Sequence, residues 1–128
     1  ILIFLLVQSE IFAQKFEHPA LDLIRSKVSV TKLHADIKKC GGQIISIDTS
    51  LGGTMHITVI NACGLRPGLC KLLEYIADTI QFNCEGKNLN SITLYFTKDQ
   101  VLSICKNLVL DCKDSYSGKD FISYDYNT

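Results

Sequence analysis

Six cysteines and three histidines are the residues of this chain whose chemistry could go beyond packing. A thiolate is a nucleophile or a metal ligand, and two thiols can close a disulfide. An imidazole titrates near neutrality without help from its surroundings. Cys40, Cys63, Cys70, Cys84, Cys105 and Cys112 form an even set, and two pairs, Cys63 with Cys70 and Cys105 with Cys112, share the spacing C-x6-C. Zinc knuckles use shorter steps, C-x2-C to C-x4-C, so the pattern points away from a metal. A thiol nucleophile needs a histidine within reach. Cys63 is the one candidate, because Asn61, Ala62, Cys63 and Gly64 fall at an expected strand-to-helix junction, but a disulfide at Cys63 is the preferred reading. His18, His34 and His56 are read as surface residues: His18 near a flexible start, His34 on the polar side of a short helix, His56 on the strand face opposite Met55 and Ile57. No G-x-S-x-G, H-E-x-x-H, phosphate-binding loop, dinucleotide fingerprint or C-x-x-C occurs, so no catalytic, cofactor or metal residue is assigned.

The compartment decides how the cysteines are read. Ile1 to Val7 is an unbroken apolar run, followed by the more polar QSEIFAQ with small Ala13 before a cleavage point. This has the form of a secretory signal over residues 1–13, so the mature chain is expected to begin at Gln14 and to be secreted or periplasmic. The run is too short for a membrane anchor, which needs ~20 apolar residues, and no later stretch supplies that length. In a small exported chain an even cysteine set is expected to form disulfides. Thirteen basic residues balance thirteen acidic ones, so the chain lacks the positive excess with which nucleic-acid binders hold phosphates.

At 128 residues and 47% hydrophobic content the chain is expected to fold as one domain. Ile24, Val28 and Val30 alternate with polar residues, which predicts a strand over residues 24–31. Leu33, Ile37 and Cys40 then follow helical spacing, stopped by Gly41 and Gly42. QIISID and MHITVIN, separated by TSLGGT, predict a hairpin. Leu69, Leu72, Leu73, Ile76 and Ile80 form the clearest helical stripe, with Pro67 in its first turn. NSITLYF predicts another strand, and Thr97 with Gln100 forms a capping box before a last helix over residues 98–112.

That order predicts an α+β fold, an antiparallel sheet packed by helices, resembling the β-α-β-β-α-β order of ferredoxin-like domains with an extra C-terminal helix. The rival is a cystatin-like helix on a sheet, which needs residues 21–28 to be helical. The inhibitory Q-x-V-x-G loop of that family is missing, since Gln43 to Ile47 lacks its valine and glycine. The domain is expected over residues 14–112, followed by a polar aromatic tail over 113–128. In this tail Tyr116, Phe121, Tyr124 and Tyr126 are candidate interaction residues, because aromatic rings dominate interface energetics. An unbroken last helix would place Cys105 and Cys112 about 10.5 Å apart along its axis. A disulfide needs Cα atoms within ~7 Å, so that pairing is excluded on this reading. Cys63 with Cys70 is favoured, and Cys105 and Cys112 are left to reach Cys40 and Cys84. The functional expectation is a small exported, disulfide-stapled binding or interaction module for a protein or small ligand, without a cofactor. A cysteine- or histidine-based enzyme and a structural subunit of a surface assembly are the alternatives.

Overall fold

A computed structural model describes residues 18–108 and 121–125 of the chain. Its first element is a helix, α1 (Pro19–Arg25), where a strand was expected to begin. His18 takes an extended conformation at the N-cap and its Nδ1 accepts from the Ala20 amide at 3.1 Å. Pro19 occupies the first turn, where its missing N–H costs nothing. Ala20, Leu21, Leu23 and Ile24 are buried. The alternation of Ile24, Val28 and Val30 therefore spans a joint between two helices. At this joint Lys27 adopts a positive φ of 50°, the Val28 carbonyl accepts from the Leu89 amide at 2.8 Å and the Val30 amide donates to the Lys87 carbonyl at 2.8 Å.

Helix α2 (Val30–Lys39) starts at Ser29, whose hydroxyl accepts from the Lys32 amide at 3.2 Å. It buries Leu33 and Ile37, as their spacing predicts, and it stops where expected, with Gly41 at φ 84°. Gly42 then brings the chain against the helix it has just left. A Cβ there would lie 2.9 Å from Ile37 Cγ2 and 3.0 Å from the Ile37 carbonyl oxygen.

The expected hairpin forms from β1 (Gln43–Thr49) and β2 (Met55–Ile60). Thr49 stands opposite Met55, and the turn is closed by the Ser50 amide donating to the Thr54 carbonyl at 2.9 Å. After a single 3-10 turn (Cys63–Leu65) come two short strands, β3 (Lys71–Leu72) and β4 (Tyr75–Ile76), paired only with each other. Strands β5 (Thr79–Glu85) and β6 (Asn88–Tyr95), helix α3 (Lys98–Leu108) and strand β7 (Phe121–Asp125) follow. The main sheet has the order β1-β2-β5-β6-β7, and all its pairs are antiparallel. One face carries Ile57, Val59, Ile80, Phe82, Ile92 and Leu94, each at most 1% exposed. Helix α1 packs over β6 and β7, α2 beside β1, and α3 beside β7. Each fully buried side chain of this size contributes roughly 1.5–3 kcal/mol through its removal from water.

The fold is α+β, but two elements of the ferredoxin-like order are replaced. Residues 24–31 supply the end of one helix and the start of another instead of a strand; of the region 21–28 that the rival order needed helical, only residues 21–25 are, and the chain breaks at Ser26 and Lys27. The apparent helix at residues 69–80 is extended chain: Leu73, at φ 55°, turns β3 into β4, and the Ala77 amide donates to the Cys70 carbonyl at 2.7 Å. Leu69, Leu72 and Ile80 of that stripe are buried, whereas Ile76 is 58% exposed, so the spacing matched a helix by coincidence. The capping box is present, with the Thr97 amide donating to Gln100 Oε1 at 3.1 Å and the Gln100 amide to Thr97 Oγ1 at 3.3 Å. The signal segment 1–13, Cys112 and most of the tail lie outside the described residues.

Candidate functional site

The cysteines divide by the elements that hold them. Cys63 and Cys70 are disulfide-bonded, with Cα atoms 5.3 Å apart, across the loop that contains Gly64, Pro67 and Gly68. The thiol that a Cys63 nucleophile would need is therefore engaged. Cys40 and Cys84 are free thiols, so the expected staples from the last helix to this pair are not formed. Cys40 closes α2 and its Sγ donates to the Ile37 carbonyl at 3.2 Å. Cys84 is fully buried on the core face of β5, and burial pushes its thiol above the ordinary value. It packs as a small apolar residue. Cys105 is disulfide-bonded, and its partner lies outside the described residues. The exclusion of Cys112 as that partner rests on helix as far as residue 112, which lies outside the described residues.

The histidines also depart from a uniform surface role. His18 is 5% exposed, and its Nε2 donates to the Lys71 carbonyl at 2.7 Å. Burial lowers its pKa, against a smaller upward pull from that carbonyl. His56 does face away from Ile57, as its strand position predicts, but it is half-buried and its Nδ1 donates to Asn83 Oδ1 at 2.6 Å. Asn83 passes the bonding on through Nδ2 to Ser91 Oγ at 2.9 Å and Thr93 Oγ1 at 3.3 Å. Asp48, His56, Asn83 and Ser91 occupy consecutive register positions across β1, β2, β5 and β6. The row resembles a relay in composition, yet Asn83 stands between the imidazole and the Ser91 hydroxyl. Among the described side chains no base reaches that hydroxyl, Asp125 of β7 is the register position beyond it, and the row serves to satisfy Asn83, which is only 8% exposed.

The feature best suited to engage another molecule is the free edge of the sheet. Among the described residues β1 is paired on one side only, so its outer N–H and C=O groups offer a template for a further strand. A register shift between Ile44 and Ser46 leaves Ile45 without an opposite residue in β2. Ile45 is 51% exposed. Ile47 stands opposite Ile57 and shares its face, but it is 49% exposed. Leu51, in the hairpin turn, is fully exposed. Sequence reasoning identified this strand but not its position at an edge, because strand order is set by distant pairings. The available signal was the excess of isoleucine at residues 44, 45 and 47, more than a one-sided strand needs.

Of the tail residues singled out, Phe121 and Tyr124 lie in β7 opposite Tyr95 and Ile92, whereas Tyr116 and Tyr126 lie outside the described residues. Among the described residues no helix is long and apolar enough to cross a membrane, and no group of three or more metal-binding side chains is assembled. No protein-family model, curated protein or solved structure matches the chain.

Proposed function

We propose that this chain is an exported binding module that takes an extended segment of a partner protein along β1. The observation that carries the reading is the combination of an open backbone edge with two half-exposed isoleucines on the same strand. In strand addition, main-chain hydrogen bonds supply affinity and the alternating side chains supply selectivity. Sheet edges are commonly protected by lysine, proline or a bulge. The segment Gln43–Thr49 contains neither lysine nor proline; its protections are the bulge at Ile45 and the charge of Asp48, and the Ser46 to Thr49 pairing is regular. Export is supported by the apolar run Ile1 to Val7 and by the Cys63–Cys70 disulfide, a bond favoured in oxidising compartments.

The same edge supports a second reading, a structural subunit whose partner strand comes from another copy. Sedimentation of the full chain separates the two readings, because a module for a different protein stays monomeric. For the first reading, displayed random peptides of the length of β1 are selected on the full chain. The selected peptides are expected to lose binding to Ile45→Lys and Ile47→Lys by tenfold or more. Equal binding to the wild type and both variants contradicts the reading.

A further inference from the structure

A second concave surface lies between α2 and the disulfide loop. It is an open cleft of about 530 Å³ lined by Lys32, Asp36, Lys39 and Cys40 on one side and by Gly64, Leu65, Arg66 and Pro67 on the other. That volume falls in the range of small-molecule sites. Three cationic side chains share the cleft with one carboxylate, in a chain whose charges balance as a whole. Lys32 is engaged with Asp36 at 3.4 Å. Among the described residues neither Lys39 nor Arg66 has an ion-pair partner.

Lys39 taken alone needs no ligand, since a lysine in the last turn of a helix interacts favourably with the helix dipole. Arg66, exposed like Lys39, lines the same cleft. It comes from a separate element, and the Cys63–Cys70 bond and the hydrogen bond from the Leu69 amide to the Arg66 carbonyl at 3.1 Å hold its loop. Gly64 lies beside Cys40 at the end of α2, where a Cβ would make contact with Cys40 Cβ at 3.4 Å. The result is two exposed cations, neither with an ion-pair partner among the described residues, lining a cleft without aromatic side chains. A ligand held there is selected by charge. A guanidinium fork and a lysine point charge in one cleft suit tetrahedral oxyanions.

We infer that this cleft binds a small phosphate-bearing anion between Lys39 and Arg66. The inference is independent of the β1 edge, and either can fail without the other. Inorganic pyrophosphate is the probe, titrated into the isotope-labelled full chain at low ionic strength, where screening is weak. The amides of Lys39, Cys40, Gly64 and Arg66 are expected to shift in a saturable way. Lys39→Gln with Arg66→Gln raises the dissociation constant at least tenfold while the remaining spectrum stays that of the folded protein. Lys98→Gln, on α3, changes nothing. Absence of saturable shifts at about 1 mM pyrophosphate, the weak end of ordinary ligand affinity, overturns the inference. So do unchanged binding in the double variant and equally tight binding of succinate.

Discussion

His18 ties the start of α1 to the Lys71 carbonyl, its Nε2 donating at 2.7 Å while its Nδ1 accepts from the Ala20 amide at 3.1 Å. The two bonds require the neutral imidazole with its proton on Nε2, because a proton on Nδ1 would abolish the cap. The histidine thereby links two segments 53 residues apart.

A pH dependence follows from this geometry. Burial holds the folded-state pKa of His18 below the ordinary value of 6.5, so the unfolded chain binds a proton more readily than the folded one. The contribution of His18 to stability is present in full above about pH 6.5 and is lost as pH falls through the lower folded-state value. Replacing His18 with Asn retains a capping side chain without the titration. The stability advantage of the wild type over His18→Asn, measured by denaturant titration, is expected to shrink as pH is lowered from 7 to 5. An advantage that is constant across this range contradicts the assigned role.

The row on the outer face of the sheet makes His56 more than an exposed side chain. Replacing His56 with alanine leaves Asn83 Oδ1 without the bond it accepts at 2.6 Å, in a position only 8% exposed. An unsatisfied group of this kind costs roughly 1–3 kcal/mol. Denaturant titration of His56→Ala is expected to show a loss in that range. A loss within the ~0.5 kcal/mol of ordinary surface substitutions shows that water replaces the bond without cost.

The cysteines should separate by reactivity. Under native conditions an alkylating reagent is expected to modify Cys40, which is partly exposed, and to reach fully buried Cys84 only after unfolding. Non-reducing peptide mapping should recover Cys63 linked to Cys70, and Cys105 in a crosslinked peptide. Recovery of a Cys40–Cys84 bond, or of six free thiols, contradicts this arrangement.

Local signals in the sequence were sufficient wherever one element determined the outcome. The glycine stop after Lys39, the TSLGGT turn, the Thr97–Gln100 box and the alternation of Ile92 and Leu94 each act within a few residues, and all four appear in the structure. Signals failed where partners are distant. The segment from Leu69 to Ile80 matches helical spacing, but the Cys63–Cys70 bond and the turn at Leu73 commit it to a hairpin. His18 is not a common capping residue, and Lys71, which holds its other nitrogen, is far along the chain, so the helix behind Pro19 was hidden by a short alternation. The Cys63–Cys70 pairing was legible because the loop between them is short and rich in turn residues. The edge position of β1 was not, since it depends on the order of five strands drawn from the whole chain.

Hydrogen exchange of the β1 backbone amides, with and without a strand-forming peptide selected on the full chain, tests the central claim most directly. An added strand pairs with the free side of β1, so amides within Gln43–Thr49 are expected to gain protection while those of β7, at the opposite edge, exchange as before. Protection gained at another surface, or binding without any change in β1, contradicts the account.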